Sequence, residues 1–166
     1  MGIKVTEGMN GSVLEIFTAP AAQTPVQSVS TAELIAGKGI VGDRYFSNEG
    51  TFSAKLETKG AADWEVTLIE TEEIDRFNAA LGADFSYGDF RRNIATCGIR
   101  LNPLVGQQFY VGDVLLEGIR LCEPCATLAA TVAKSVLPDL IGRGGLRARI
   151  LSGGQIAVGD NIYEPI

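Results

Sequence analysis

The sequence predicts a mainly β fold, a small closed or partly closed β-barrel with two or three short helices inserted. Many short runs of β-branched and aromatic residues are bounded by turn residues, whereas only two stretches show a helical period. Glycine supplies 20 of the 166 residues, a share of about 12% against a usual value of about 7%. Such an excess favours a turn-rich β architecture over a helical bundle. Because the chain shows no linker, repeat or low-complexity tract, we expect residues 1–166 to form one domain.

The first strands are predicted from alternation and from runs of apolar residues. Residues 11–19 (GSVLEIFTA) form a strand pattern whose period of two defines two faces. One face carries Val13, Glu15 and Phe17, and the other carries Leu14, Ile16 and Thr18. A second strand is predicted from Val26 to Ile35, and a buried one at Glu65–Ile69 (EVTLI).

Two helices are predicted. Beyond residue 69, acidic side chains fill a first turn, Ile74, Phe77 and Leu81 follow at helical spacing, and Gly82 closes the pattern. We therefore expect an amphipathic helix with those three apolar residues on its buried face. The second helix is predicted within residues 127–136 and should end before Pro138, because a proline disfavours helical backbone in the residue that precedes it.

The last third of the chain predicts a hairpin and the strands that close the sheet. Phe109–Val111 and Val114–Leu121 flank a two-residue turn, Gly112-Asp113. Closing strands are predicted at Leu146–Leu151 and Ile162-Tyr163, with intervening turns at Gly153-Gly154 and Gly159-Asp160.

Composition and charge restrict the chemistry. The chain has 14 basic and 20 acidic residues, a net charge of −6, and no histidine. Without imidazole, serine or cysteine triads and histidine metal sites are excluded. Residues 1–90 carry 6 basic and 14 acidic groups (net −8), whereas residues 91–166 carry 8 and 6 (net +2). An anionic ligand is therefore expected to bind to the second half.

The same counts suggest where the protein works. An acidic chain is a poor nucleic-acid binder, so no nucleic-acid partner is expected. No apolar run reaches the roughly 18 residues of a membrane span and no signal peptide is apparent, so no membrane partner is expected. Three cysteines, two of them in one CxxC, do not suggest a disulfide framework, and we expect a reducing cytoplasm.

The CxxC segment Cys122-Glu123-Pro124-Cys125 is the strongest local feature. A zinc site would need four ligands, with only Cys97 or carboxylates to complete it. A thioredoxin-like dithiol would follow a strand of a βαβ unit, whereas here a hairpin strand precedes the motif. The remaining interpretations are one working thiolate with a neighbour, and two buried cysteines that act as small apolar residues. Cys97 is expected to fill core space.

Arginines beside glycines or turns are the second feature. They are Arg44, the Arg91-Arg92-Asn93 run at the start of a predicted strand, and the arginines of residues 143–149. A guanidinium holds phosphate or carboxylate in a bidentate way, and flanking glycines let backbone N–H groups approach an anion. Surface ion pairs are the alternative for any one arginine, and Asp43 is a candidate partner. Arg147 and Arg149 should share one strand face, with Ala148 on the other.

Five segments, in order, resemble the MOSC domain, which is named for the C-terminal domain of molybdenum cofactor sulfurases. They are GIVGDRYF (39–46), VTLIETEEI (66–74), FRRNIATCGIRLNPLVGQQFYVGDVLLEG (90–118), RLCEPCATL (120–128) and GRGGLRARILSGGQIAVGD (142–160). The chain is similar to standalone bacterial members, which lack the N-terminal barrel domain of larger relatives. In those relatives the second domain helps to enclose the cofactor.

The resemblance implies a β-barrel with one key cysteine, which the match places at Cys125. In the amidoxime-reducing relatives that cysteine ligates the molybdenum of a pterin cofactor, and Cys122 is an accompanying residue. By the same match Asp43, Arg44, Arg92 and Asn93 would line the cofactor cleft, and Arg147 and Arg149 are further candidates.

The implied activity is reduction of N-hydroxylated compounds, with electrons from a separate reductase. The alternative is a sulfur carrier that holds a persulfide on Cys125, loaded by a cysteine desulfurase. A third interpretation is a non-catalytic anion- or cofactor-binding module, so whether the chain is an enzyme stays open. Pyridoxal phosphate is not expected to bind to this domain.

Overall fold

The computed structural model describes residues 10–22, 24–46, 65–133 and 136–165. The strands are β1 (Gly11–Thr18), β2 (Gln27–Val29), β3 (Thr31–Ile35), β4 (Gly39–Ile40), β5 (Val66–Glu70), β6 (Ile94–Cys97), β7 (Gln108–Val111), β8 (Val114–Leu121), β9 (Leu146–Ser152), β10 (Gly154–Ala157) and β11 (Asn161–Tyr163). The helices are α1 (Thr71–Leu81), α2 (Ala126–Thr131) and α3 (Val136–Asp139). Short 3₁₀ turns occupy Tyr87–Phe90 and Asn102–Leu104.

Seven strands close into a barrel. Their order is β11-β7-β8-β9-β5-β6-β1, and β1 pairs back with β11, where Gly11 lies opposite Ile162. The barrel strands pair antiparallel except β5 and β6, which are parallel and joined through α1. Strand β2 extends the sheet beside β1, and β10, β3 and β4 form a separate small sheet. The predicted mainly β barrel with short inserted helices is confirmed.

Two hydrophobic cores hold the fold together. The barrel interior is filled by buried aliphatic and aromatic side chains, among them Ile16, Leu68, Ile94, Phe109, Leu116 and Ile150. A second core lies between the outside of the barrel and the helices, with Phe17, Ile69, Phe77, Phe90 and Leu128. The rings of Phe77 and Phe90 meet edge to face with centroids 5.8 Å apart. The second core fixes α1 and α2 against the barrel wall.

The predicted faces of β1 are wrong because the strand contains a bulge. Between Val13 and Glu15 the register against β6 shifts, so that Leu14 is an extra residue. A bulge reverses the alternation of side chains beyond it. As a result Val13 and Ile16 both enter the barrel core, while Phe17 enters the second core.

Two other predicted elements are corrected, and one agrees with its prediction. The strand expected from Val26 to Ile35 is two strands, because the chain leaves the barrel sheet at Ser30. The helix predicted within residues 127–136 is α2, which ends before Pro138 as expected. The short helix α3, which contains Pro138, is an additional element, and proline is tolerated there because backbone N–H groups of a first turn have no helical partner. Residues Gly154–Ala157, expected as a turn followed by a connection, form strand β10.

Helix α1 agrees with its predicted pattern except at its end. Ile74 and Phe77 are buried, and Gly82 ends the helix in the left-handed conformation with φ 61°. Leu81 is 41% exposed, so its assignment to the buried face is wrong. The last helical turn of α1, which contains Leu81, lies beyond the part of the helix that contacts the second core.

Candidate functional site

A cleft on the outer face of the barrel collects most of the predicted site residues. It lies where β8 ends and β9 begins. Its cavity volume is about 60 Å³, or about 520 Å³ when the open solvent at its mouth is included. We call it the arginine cleft, and its lining residues are Arg44, Tyr45, Thr67, Arg91, Arg92, Cys122, Glu123, Cys125, Leu128 and Arg147. Four guanidinium groups and two thiols therefore share one cavity.

The two thiols of the cleft differ in exposure. Cys122 follows β8 directly and is 2% exposed, while Cys125 precedes α2 and is half-buried. The Cys122 N–H donates to the carbonyl of Gly145 over 2.7 Å, and the Cys125 carbonyl accepts the Ala129 N–H at 2.9 Å. All three cysteines of the chain are thiols. Both members of the CxxC thus line the cleft, the first from an inner position and the second from a more accessible one.

A glycine loop, residues 142–145, packs on the CxxC segment. A Cβ at Gly144 would lie 2.4 Å from the Cys122 carbonyl oxygen, and one at Gly145 would lie 2.1 Å from the Leu68 carbonyl oxygen. The Glu123 carboxylate accepts the Gly142 N–H at 3.0 and 3.1 Å. These glycines therefore allow close backbone packing around the cysteines, whereas the sequence predicted that flanking glycines serve an anion.

Arg92 is buried and bonded to three backbone carbonyls. Its Nε donates to Gly144 at 2.9 Å, its Nη2 to Cys122 at 3.1 Å and its Nη1 to Phe90 at 3.4 Å. The same side chain holds both the CxxC segment and the glycine loop. Although Arg92 lines the cleft, its hydrogen bonds make it a support for Cys122.

Asn93 is buried next to Arg92 but does not line the cleft. Its Oδ1 accepts the Thr67 N–H at 3.0 Å and the Thr67 hydroxyl at 3.1 Å, and its Nδ2 donates to the Phe17 carbonyl at 3.2 Å. Asn93 therefore acts on the cleft through Thr67, whose position it fixes.

Asp43 and Arg44 form a buried ion pair. Asp43 Oδ1 accepts the Ala19 N–H at 3.1 Å and lies 3.2 Å from Arg44 Nη1. The Arg44 guanidinium stacks on the Tyr45 ring, 4.8 Å from its centroid. Arg44 lines the cleft and Asp43 does not, so the carboxylate orients the guanidinium from behind.

Arg91 lines the cleft although the family resemblance assigned it no role. Its φ of 61° makes it the one non-glycine residue of the described chain with a left-handed backbone, which costs about 1–2 kcal/mol. Its Nη1 donates to the Thr24 carbonyl at 2.5 Å, while its Nη2 is buried without a hydrogen-bond partner. Burial lowers the pKa of Arg91, and the charge of Arg44 adds to the effect. A strained residue and an unsatisfied buried donor together point to an anion-binding role.

Arg147 and Arg149 lie on the outer face of β9 as predicted, with Ala148 in the barrel core. Arg147 lines the cleft, where burial lowers the pKa of its guanidinium. The electrostatic interaction of Arg147 with Cys122 opposes this lowering of its pKa, while the charges of Arg120 and Arg92 add to it. Arg149 lies outside the cleft, and its Nε pairs with Glu117 Oε1 at 2.8 Å.

The cleft combines a soft sulfur donor with concentrated positive charge. Across residues 10–22, 24–46, 65–133 and 136–165, no three cysteine or acidic side chains come close enough to hold a metal ion by themselves. A metal bound here would take one thiolate from the protein and bring its other ligands with it. Anionic groups on such a cofactor would meet the guanidinium groups.

Comparison with known proteins identifies a family and a fold. A family model described as the MOSC domain matches residues 55–163. The crystal structure of YuaD from Bacillus subtilis superposes with a TM-score of 0.78 at 16% identity, covering 93% of this chain and 94% of that one. YiiM from Geobacillus stearothermophilus has a TM-score of 0.67 at 18% identity, covering 93% of this chain and 74% of that one.

YiiM from Escherichia coli gives a similar result, with a TM-score of 0.67 at 16% identity over 94% of this chain and 69% of that one. At these identities the superpositions establish the barrel fold. A search of curated proteins finds no match. No helix in the described part of the chain is long and apolar enough to cross a membrane.

Proposed function

The chain belongs to the MOSC domain family, and we propose that it binds a molybdenum–pterin cofactor in the arginine cleft, with the Cys125 thiolate as metal ligand. MOSC domains are associated with that cofactor. The observation that carries the proposal is the half-buried Cys125 thiol in a cavity lined by four arginines. Thiolate is a soft ligand that suits a sulfur-rich metal centre.

The residues of the cleft fit such a cofactor. Arg91 offers a buried Nη2 that has no hydrogen-bond partner, and a bound anion would satisfy it. Arg44 and Arg147 add positive charge to the same wall. The Cys125 thiol, the accessible one of the cleft, supplies one ligand. One protein ligand suits a metal that brings its own sulfur ligands. Arg44, Arg91 and Arg147 would hold the anionic part of the cofactor, and Cys125 the metal.

The proposed reaction is reduction of an N-hydroxylated compound to its amine, which consumes two electrons and two protons and releases water. The bound cofactor would supply the redox-active metal, and a separate reductase would supply the electrons. Leu128 and the Tyr45 ring contribute apolar surface to the lining of the cleft. The Tyr45 hydroxyl and the Glu123 carboxyl are the groups in the lining, besides the thiols, that carry transferable protons.

An activity assay tests this reaction. Protein from a host that makes the cofactor is mixed with a hydroxylamine substrate and a reduced viologen dye, and amine formation is measured. We expect turnover by the wild type and by Cys97→Ser, whose thiol lies outside the cleft beside Ser12. Turnover should be lost in Cys125→Ser. No turnover by a wild-type protein that contains molybdenum would overturn the reductase proposal.

A second candidate function is sulfur carriage on Cys125. It is favoured by Cys122, a second thiol in the same cleft that ligation of a metal by one thiolate does not require. The arginines would attract a persulfide anion as they would a thiolate. Incubation with a cysteine desulfurase and cysteine should add about 32 Da, one sulfur atom, to Cys125. Cys125→Ser should show no such adduct. The absence from the wild type of both the adduct and any sulfide released from it would refute this candidate.

Each proposed function requires a protein partner. The reductase role needs an electron donor, and the carrier role needs a cysteine desulfurase. Three thiols and no disulfide among the cysteines suit a reducing compartment, so we place the protein in the cytoplasm as part of the same proposal.

A further inference from the structure

We propose that Cys122 is a resolving thiol for Cys125. When Cys125 carries a persulfide, the Cys122 thiolate attacks Cys125 Sγ, closes a disulfide and releases hydrosulfide into the cleft. The inference rests on the sulfur-carrier function and adds to it the step that discharges the sulfur. It gives Cys122, otherwise an accompanying residue, a reaction of its own.

The placement of the two sulfurs supports this division of roles. Both cysteines line the arginine cleft, but Cys125 is half-buried while Cys122 is almost inaccessible. An external sulfur donor can therefore reach Cys125, whereas Cys122 is protected from loading. A protected thiol that lines the same cavity as an accessible one is the arrangement that a resolving step needs.

The backbone around Cys122 keeps its thiol at the cleft. Its N–H is bonded to Gly145 at 2.7 Å, its carbonyl accepts Arg92 Nη2 at 3.1 Å, and Gly144 packs against the same carbonyl. Strand β8 ends immediately before it. Cys125 lies beyond the Glu123-Pro124 turn, at the start of the six-residue helix α2. The backbone of Cys122 is thus held from three sides, while Cys125 packs against the second core at the start of α2.

Charge in the cleft suits the reaction. Arg147 lines the cavity and interacts electrostatically with Cys122. The attacking form of a thiol is an anion, and the guanidinium groups that line the cavity attract anions. The leaving group is an anion, and the open mouth of the cleft gives it an exit.

The step balances as Cys125–S–SH plus Cys122–S⁻ giving the Cys122–Cys125 disulfide plus HS⁻. The bond between Cys125 Sγ and the outer sulfur breaks as the new S–S bond forms. The outer sulfur is reduced to sulfide and the Cys122 sulfur is oxidised by the same amount, while the Cys125 sulfur exchanges one S–S bond for another. An external dithiol then reduces the disulfide and restores both thiols.

The test follows the fate of a persulfide placed on Cys125. Wild type, Cys122→Ser, Cys122→Ala and Cys97→Ser are loaded with desulfurase and cysteine, and in parallel with sodium polysulfide. Excess reagent is removed, and intact mass, released sulfide and the disulfide peptide are measured over time. Thermal melting of each variant confirms that it is folded, and the two Cys122 variants guard against failure of either one.

We expect the wild type and Cys97→Ser to lose the adduct of about 32 Da, release sulfide and end about 2 Da below the dithiol mass. Both Cys122 variants should keep the adduct roughly ten-fold longer and release little sulfide. Equal adduct lifetimes in wild type and the Cys122 variants, or sulfide release without a Cys122–Cys125 disulfide, would overturn the inference.

The parallel loading separates the two claims. If desulfurase fails to load Cys125 while polysulfide succeeds, the carrier function fails and the polysulfide arm still decides the resolving step. If neither reagent places sulfur on Cys125 of the folded Cys122 variants, which cannot discharge it, both the carrier function and the resolving role are refuted.

Discussion

Arg92 Nη2 donates a hydrogen bond to the carbonyl oxygen of Cys122 at 3.1 Å, across a gap of 30 residues in sequence. The same guanidinium binds Gly144 at 2.9 Å. One buried side chain thereby joins three segments at the cleft: the residues before β6, the CxxC segment and the glycine loop. The working thiol depends on this junction because Cys125 lies only three residues beyond Cys122.

Removing this junction should destabilise the protein. Arg92→Ala leaves buried carbonyl oxygens without donors, and each such loss costs about 1–3 kcal/mol. We expect the free energy of unfolding, measured by urea denaturation, to fall by about 3 kcal/mol or more. Arg149→Ala is the control, since its exposed pair with Glu117 is worth at most about 1 kcal/mol. Equal decreases in the free energy of unfolding of the two variants would contradict the structural role of Arg92.

Gly144→Ala should disturb the CxxC segment directly. Its Cβ would lie 2.4 Å from the Cys122 carbonyl oxygen, and overpacking of this kind costs about 1–3 kcal/mol. We expect lower thermal stability together with a changed alkylation rate at Cys125. Gly42→Ala has open space around it and carries only the strain of φ +88°, so its alkylation rate should match the wild type. An unchanged rate in Gly144→Ala would contradict the packing argument.

Arg91→Gly should separate ligand binding from stability. Glycine relieves the left-handed backbone at φ 61°, a gain of about 1–2 kcal/mol, but the bond to Thr24 is lost, at about 1 kcal/mol. The free energy of unfolding should therefore change little. Retention of the anionic cofactor should fall roughly ten-fold, because a charged hydrogen bond is lost. Cofactor content per chain measures this, and wild-type content in Arg91→Gly would refute the role of Arg91.

Glu65 should make stability depend on pH. Burial raises the pKa of this carboxyl above its ordinary value of 4.5, against opposing hydrogen bonds from the Gly37 and Ile150 backbone and the charge of Arg149. A raised pKa in the folded state means that folding favours the protonated form, so its contribution falls as pH rises from about 4.5 through the folded value. Glu65→Gln cannot ionise and does not lose this contribution. The free energy of unfolding of Glu65→Gln minus that of the wild type should therefore be larger at pH 7 than at pH 4.

Urea denaturation at the two pH values checks this prediction. Glu33→Gln, on an exposed position of β3, is the matched surface control and should show no such pH-dependent difference. A wild type that exceeds Glu65→Gln in stability by the same margin at both pH values would contradict the assignment.

The sequence was sufficient for the barrel and for several of the residues that line its cleft. Strand and turn patterns predict most of the strands, and the ordered motifs predict that Cys122, Cys125, Arg44 and Arg92 belong to one site. What it could not predict is local register. The bulge at Leu14 leaves no signal in the alternation of β1, because apolar residues occupy both of its faces.

The roles of the polar residues are set by tertiary contacts that no sequence pattern reveals. Arg147 and Arg149 share a strand face, yet only Arg147 lines the cleft. Residues two positions apart on a strand are separated by several ångströms, which places Arg149 outside the cavity. Asp43 and Asn93 support Arg44 and Thr67 from behind the lining. Arg91 carries no separate signal beside Arg92, since its distinction is a backbone conformation that follows from the 3₁₀ turn before it.

The most direct test of the account is the molybdenum and pterin content of purified protein from a cofactor-competent host, measured per chain for wild type, Cys125→Ser and Cys97→Ser. We predict near-stoichiometric molybdenum with pterin in the wild type and in Cys97→Ser. Cys125→Ser should retain no more than about a tenth of that amount, because the metal loses its protein ligand. A wild type without molybdenum or pterin, or a Cys125→Ser variant that retains as much as the wild type, would contradict the central claim.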